Sequence, residues 1–153
     1  MDEFERLEVI GQTKAVKILK DLFKECKLNI EQHIEDKGGI DIYITATTKA
    51  GTVKKYAIEA KDRHKGHQEY NGMWMIEKKK MYKLIDDVSK DYTALYLNTF
   101  ADDTYFIWNP MKNKFIDSEI TAQKYTAKTS NYEVKPSYMF TIRDYIKSGT
   151  TMN

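Results

Sequence analysis

The chain has 153 residues, of which 41% are hydrophobic, 12% aromatic and 31% charged. Disordered chains carry fewer aromatic residues, so this composition predicts one globular domain over 1–153. The net charge of +2 gives no general argument for a nucleic-acid partner, and no apolar run approaches the roughly 20 residues of a membrane span. The single cysteine, Cys26, excludes an internal disulfide and fits a reducing compartment. We therefore expect a cytoplasmic protein without membrane contact.

The first half of the chain predicts a helix followed by strands. Apolar residues recur at helical spacing over 4–26, which predicts the first helix. Residues 28–34 predict a short strand, and 36–39 have the composition of a turn. Alternating apolar side chains predict two further strands over 40–48 and 53–61.

The second half predicts one more helix and one more pair of strands. After a polar loop over 66–72, residues 73–89 predict a second helix, whose inward candidates are Ile76, Met81, Leu84, Ile85 and Val88. Strands are predicted over 94–100 and 105–108, and a short terminal helix over 141–147. The order of elements predicts an α/β fold in which a central mixed β-sheet is flanked by helices.

The loop between the two central strands predicts their register. Residues 49–51 suit a three-residue hairpin loop, because its last position is left-handed and Gly51 can adopt that conformation. With Thr48 and Thr52 as the closing pair, three apolar pairs share one face: Ile44 with Tyr56, Ile42 with Ile58, and Ile40 with Ala60. On the other face Asp41 lies opposite Glu59. Hydrophobic burial enforces this register, since a slip by one residue would bury the charges.

The predicted pair of carboxylates indicates a metal site. Directly opposed side chains have Cβ atoms about 4.5–5.5 Å apart, so Asp41 and Glu59 repel each other unless a cation compensates. Carboxylates are ligands that Mg²⁺ or Mn²⁺ prefers. Lys61 projects from the same face as Glu59, where its ammonium can contact a scissile phosphate and the attacking water. The alternative interpretation is a surface salt bridge among these three residues.

These segments resemble the active-site sequence of the PD-(D/E)xK nuclease superfamily. The matching stretches are Gly-Ile-Asp-Ile at 39–42 and Ile-Glu-Ala-Lys at 58–61, with Ile40 where the name of the motif has proline. The resemblance implies a restriction-endonuclease-like core of αβββαβ order over about 4–108, followed by a C-terminal extension over 111–153.

The resemblance also implies the chemistry of the site. Asp41 and Glu59 would be metal ligands, often joined by the Ala60 carbonyl, and Lys61 would be the catalytic lysine. Resolvase-like members add a glutamate on the first helix. Glu8 is the best candidate for that ligand, with Glu31 and Glu35 as competitors; alternatively, Glu8 is an ordinary acid of the first helical turn, favoured by the helix dipole.

A metal-dependent endonuclease acting on DNA is the function that the resemblance implies. The cofactor would be Mg²⁺ or Mn²⁺, RNA is not excluded as a substrate, and a homodimer of the Holliday-junction-resolvase-like subclass is favoured. The alternative is a catalytically inactive nuclease-fold module that binds nucleic acid or a protein partner.

A local excess of basic residues follows the predicted site. Arg63, His64 and Lys65 lie in the loop directly after Lys61 and are candidates for contacts to a nucleic-acid backbone. Many members of the superfamily carry Gln-x-x-x-Tyr on the following helix; here Lys78 and Tyr82 have that spacing. The alternative interpretation is a solvated loop and a lysine-rich helix face.

Overall fold

The computed structural model describes residues 3–33, 39–70, 73–112, 116–123, 132–141, 145 and 147–150. Their helices and strands follow in chain order: α1 (Glu3–Leu22), β1 (Lys27–Gln32), β2 (Ile42–Thr47), β3 (Val53–Asp62), β4 (Met73–Glu77), α2 (Lys78–Val88), β5 (Tyr92–Thr99), β6 (Thr104–Trp108), β7 (Ile116–Gln123), β8 (Tyr132–Thr141) and β9 (Lys147–Thr150). A 3-10 turn, His67–Tyr70, lies between β3 and β4. Neither helix of the described ranges is long and apolar enough to cross a bilayer.

The central sheet has six strands in the order β1-β2-β3-β5-β6-β9. Strands β3 and β5 are parallel, and every other neighbouring pair is antiparallel. The parallel pair requires a long crossover connection, which β4 and α2 supply. The predicted fold class, an α/β fold with a mixed central sheet flanked by helices, is confirmed.

The two faces of the sheet are each covered by a helix. Helix α1 contacts β3 and β5 through an aliphatic cluster, which includes Ala15, Ile18, Leu19, Ile42, Ile44, Ile58, Leu95 and Leu97. Helix α2 contacts the same two strands through a more aromatic cluster, which includes Met81, Leu84, Ala57, Tyr96, Phe100, Phe106 and Trp108. The middle of β3 and most of β5 are therefore buried between the two helices.

The predicted hairpin between β2 and β3 is confirmed. Gly51 has φ +86°, and Thr48 and Thr52 close the loop with a 2.9 Å hydrogen bond from the Thr48 amide to the Thr52 carbonyl. Ile44 pairs with Tyr56 and Ile42 with Ile58, in the register that the turn predicts.

The prediction for Ile40 is wrong. Regular β2–β3 pairing ends at Ile42 and Ile58, and Ile40 packs in the aromatic cluster on the α2 side, away from Ile42. The β1–β2 pairing continues to Asp41, whose carbonyl accepts a 2.8 Å hydrogen bond from the His33 amide, whereas on the β3 side the Ala60 amide binds the Asp41 side chain. The strand alternation is broken one residue before β2 begins.

The predicted second helix over 73–89 is wrong in its first part. Residues 73–77 form β4, and α2 begins only at Lys78. Strand β4 pairs with β8 in a separate three-stranded sheet of order β4-β8-β7. Among the predicted inward residues, Ile76, Met81 and Leu84 are buried, whereas Ile85 and Val88 are exposed.

The predicted terminal helix over 141–147 is wrong at its two ends. Thr141 is the last residue of β8, and Lys147 begins β9, which pairs with β6 at the edge of the central sheet. Residues 142–144 and 146 lie outside the described part of the chain. The C-terminal segment therefore completes both sheets.

Candidate active site

Asp41 lies just before β2 and is held by main-chain groups on two sides. Its Oδ2 atom accepts a 3.0 Å hydrogen bond from the Ala60 amide of β3, and its carbonyl accepts the bond from His33. The residue is 6% exposed. The main-chain pairing of β2 with β3 stops before Asp41, and the hydrogen bond from the Ala60 amide to the Asp41 side chain follows it. This bond fixes the Asp41 carboxylate beside Glu59.

Glu59 lies near the carboxyl end of β3 and is 8% exposed. Its Oε1 atom lies 3.4 Å from Lys80 Nζ of α2, and the same ammonium donates a 2.7 Å hydrogen bond to the Gly39 carbonyl. Its Oε2 atom is buried and has no hydrogen-bond partner among the residues that the structure describes. A buried carboxylate oxygen without a donor is costly unless a ligand satisfies it.

Asp41 and Glu59 lie close enough for the charge of one carboxylate to act on the other. Burial raises the pKa of Glu59 well above its ordinary value, and the charge of Asp41 adds to the shift. Burial also raises the pKa of Asp41, against the hydrogen bond from Ala60 and the charge of Lys80. When both groups are ionised neither can donate, so this pair of hard oxygen ligands fits a divalent cation.

Two carboxylates would not complete the coordination of such a cation. The described ranges contain no group of three or more His, Cys, Asp or Glu side chains arranged to hold a metal. Mg²⁺ commonly takes only one or two protein carboxylates and keeps water or substrate phosphate in its other positions. A cation held by these two acids would therefore keep water or other ligands in its remaining positions.

Lys61 follows Glu59 by two residues, so both side chains project from the same face of β3. Lys61 is an exposed residue, but other protein atoms surround its amine and partly exclude water from it. This desolvation lowers its pKa, and the neighbouring charge of Arg63 lowers it further, while the charges of Glu8 and Glu59 act in the opposite direction. The structure thus brings Asp41, Glu59 and Lys61 to one end of the central sheet.

Glu8 of α1 belongs to the same group of interacting charges. Burial raises its pKa, the charge of Asp41 raises it further, and the charges of Lys61 and Lys80 lower it. Gln12 lies one helical turn later, 2% exposed; its side-chain amide donates to Glu8 at 3.4 Å and to the His33 carbonyl at 3.2 Å. Direct ligation of a metal by Glu8 stays a prediction.

The two competitors of Glu8 are placed differently. Glu31 lies on β1, where it is exposed and pairs with Tyr43, and Glu35 lies outside the described residues. The Oε2 atom of Glu31 lies 3.9 Å from Nε2 of His33.

The guanidinium of Arg63 is directed into the protein. It donates hydrogen bonds to Asn98 Oδ1 at 2.8 Å, to the Met75 carbonyl at 3.0 Å and to the Tyr96 hydroxyl at 2.9 Å. The group predicted to bind a nucleic-acid backbone thus joins β3, β4 and β5 instead. The other two basic residues of the loop, His64 and Lys65, are exposed.

The structure places Lys80, instead of Lys78, against Glu59. The Lys78 amine lies 5.1 Å from the centroid of the Tyr138 ring, and Tyr82 is 57% exposed. The sequence contains a signal for Lys80 that we missed: Lys80, Leu84 and Asp87 are spaced as one helical stripe, and the latter two are buried. The predicted helix begins at residue 73 instead of 78. With that start, the predicted inward face does not include Lys80.

The sequence matches no protein-family model and no curated protein sequence. Among solved structures, the chain is similar to Hjc, a Holliday junction resolvase from the hyperthermophilic archaeon Archaeoglobus fulgidus. The likeness covers 92% of this chain and 90% of the resolvase, with a TM-score of 0.50 and 10% sequence identity. The chain therefore shares the overall fold of this resolvase. At this identity the likeness concerns the fold, so an argument about activity depends on the side chains of the site itself.

Proposed function

We propose that this protein is a metal-dependent endonuclease of the PD-(D/E)xK superfamily that hydrolyses phosphodiester bonds in DNA. The observation that supports the proposal best is the buried pair of carboxylates, Asp41 and Glu59, with Glu59 Oε2 lacking any donor in the described chain. An ordinary surface salt bridge would not bury two facing acids and leave one oxygen unsatisfied. Lys61 beside them supplies the positive charge that a phosphate substrate requires.

We assign the residues of the site to distinct roles. Asp41 and Glu59, together with the Ala60 carbonyl, would hold Mg²⁺ or Mn²⁺, with Glu8 as a further candidate ligand. The cation would neutralise the two acids and polarise the scissile phosphate. Lys61 contacts a nonbridging phosphate oxygen and stabilises the negative charge that develops during attack.

We propose branched or duplex DNA as the substrate. The likeness to a Holliday junction resolvase supports a branched substrate, and two sites in a homodimer would suit a two-fold symmetric junction. Exposed His64 and Lys65 follow the strand that carries Lys61, so they are placed for contacts to the DNA backbone. The whole chain, 1–153, would act as one nuclease domain.

The test is a cleavage assay with plasmid, linear duplex and four-way junction DNA, each with Mg²⁺, Mn²⁺ or EDTA. Wild type is compared with Lys61→Ala and with Lys54→Ala, an exposed lysine near the start of the same strand. We expect metal-dependent cleavage that Lys61→Ala reduces by a factor of about 100 or more and Lys54→Ala leaves unchanged. Cleavage that persists in EDTA, or at the normal rate in Lys61→Ala, would overturn the mechanism. DNA binding without cleavage under all conditions would favour the inactive binding module.

A further inference from the structure

Lys80 is the charged side chain of α2 that reaches the candidate active site. Its ammonium contacts two separate segments: the Gly39 carbonyl at 2.7 Å, two residues before Asp41, and Glu59 Oε1 at 3.4 Å on β3. The side chain is only 15% exposed, close to the 11% of its partner Glu59. A lysine that was only part of a solvated helix face would extend into water, as the neighbouring exposed Lys79 does.

The two carboxylates of the site are held in the same way, each by a protein group that contacts one of its oxygens. Lys80 holds one oxygen of Glu59, Oε1, and leaves Oε2 without a partner among the described residues. The Ala60 amide in the same way holds one oxygen of Asp41, Oδ2. Each acid is therefore oriented by the protein through one oxygen, as the outer partners of metal ligands commonly do.

We propose that Lys80 is a positioning residue for the metal site. Its ammonium links the turn that carries Asp41 to the strand that carries Glu59, and it orients Glu59 so that Oε2 faces the position shared with Asp41. This inference rests on the proposed function, because it requires that the two acids bind a divalent cation.

The placement of Lys80 depends on the packing of α2. Met81 and Leu84 anchor the helix in the aromatic cluster, at 2% and 0% exposure, and Lys80 lies one helical turn before Leu84. Burying an ammonium costs free energy unless it is paired and hydrogen bonded, and both conditions are met here. A lysine that served only to contact DNA would have its amine directed toward solvent and would leave Glu59 Oε1 without a partner.

The test is Mn²⁺ binding measured by titration calorimetry on the whole chain in the absence of DNA. Outer-shell partners typically change metal affinity by about 10–100-fold. We therefore expect Lys80→Met to weaken Mn²⁺ binding by a factor of about 10 or more, and Lys80→Arg to recover part of the loss because guanidinium can also donate to both acceptors. Lys79→Met is the matched control, since it removes a neighbouring exposed lysine, and it should bind Mn²⁺ like wild type.

The possible outcomes separate this inference from the proposed function. If wild type and Lys79→Met bind Mn²⁺ and Lys80→Met binds it equally well, the positioning role is overturned while the nuclease proposal stands. If wild type binds no Mn²⁺, both fall. Circular dichroism checks that each variant is folded. If Lys80→Met does not fold, Lys80→Gln replaces it: glutamine can still donate to the Gly39 carbonyl but lacks the charge, so wild-type affinity in that variant would also overturn the inference.

Discussion

The hydroxyl of Tyr43 in β2 donates a 2.7 Å hydrogen bond to Oδ2 of Asp87, near the C-terminal end of α2. Asp87 is 9% exposed, so this bond satisfies an acid in a largely buried position. Tyr43 lies two residues after Asp41, and Asp87 lies two helical turns after Lys80. The bond therefore ties the helix that carries Lys80 to the strand that directly follows Asp41.

Tyr43→Phe should destabilise the protein and also weaken metal binding. Removal of the hydroxyl takes a donor from Asp87, at a cost of about 1–3 kcal/mol in the free energy of unfolding. Urea denaturation measures this cost, and Mn²⁺ titration should show lower affinity because α2 is less firmly placed. Asp87→Asn in the Tyr43→Phe background should recover stability, since it removes the buried charge. No recovery would mean that the hydroxyl acts through another partner.

Glu59→Gln should stabilise the metal-free protein at neutral pH. The pKa of Glu59 is raised, so its ionisation opposes folding: the stability that its protonated form contributes is lost as pH rises through the raised pKa. The neutral amide should raise the free energy of unfolding by about 1–2 kcal/mol, or roughly 3–6 °C in Tm. Thermal denaturation in EDTA measures the effect.

The advantage of Glu59→Gln should disappear well below the ordinary glutamate pKa of about 4.3, where wild-type Glu59 is protonated in both folded and unfolded states. A variant that is less stable than wild type at every pH would show that the ion pair with Lys80 fully offsets the cost of burying the Glu59 carboxylate.

Metal binding should weaken on mild acidification. Burial raises the pKa of both Asp41 and Glu59, and a divalent cation requires the ionised forms. Protons should therefore compete with Mn²⁺ at a higher pH than they would at exposed acids. Calorimetric titrations between pH 5 and 8 should show affinity that falls as pH falls, with proton release on binding. An affinity that is constant down to pH 5 would contradict the shared buried pair.

Arg63→Met and Lys65→Met should separate structural from DNA-binding roles in one loop. Arg63→Met removes three hydrogen bonds within the protein and should cost about 2–4 kcal/mol of stability. Lys65→Met should change stability by less than about 0.5 kcal/mol, but weaken DNA binding and lower the salt dependence of log Kd by roughly one unit. Urea denaturation and fluorescence anisotropy at several salt concentrations measure the two effects. Equal DNA affinity of Lys65→Met and wild type would exclude a phosphate contact there.

Gly51→Ala should be destabilising for a conformational reason alone. Gly51 has φ +86°, and a Cβ atom added there would meet no atom within 4 Å. The expected cost is therefore the price of the left-handed conformation, about 1–2 kcal/mol in the free energy of unfolding. Gly51→Asn should lose less, because asparagine tolerates this conformation better. Equal losses in the two variants would point to a rearranged loop.

The register of the β2–β3 hairpin could be predicted because it depends on local chemistry. A glycine at the left-handed position of a short loop, with apolar residues alternating on either side, leaves one pairing that buries Ile42, Ile44 and Ile58. The same register brings Asp41 and Glu59 to one end of the two strands, so the central acids of the candidate site were predictable from the sequence.

Three features could not be predicted, because residues distant in the chain decide them. Ile40 packs in the aromatic cluster on the α2 side, whose members come from distant parts of the chain. Residues 73–77 form a strand because β8 is available to pair with them. The inward direction of Arg63 depends on Asn98, Tyr96 and Met75, which come together only in the folded chain.

The pairing of β4 with β8 bears on the time at which the nascent polypeptide assembles the candidate site. Strand β4 and the start of α2 are synthesised long before β8, and contacts between distant segments form slowly because loop closure costs entropy. Until β8 arrives, β4 lacks the strand with which it pairs, and the start of α2 is held only by the packing of the helix on β3 and β5. Lys80 would then reach Glu59 late, so we expect the growing chain to pass through a stage in which both acids are in place but are not yet oriented for a cation.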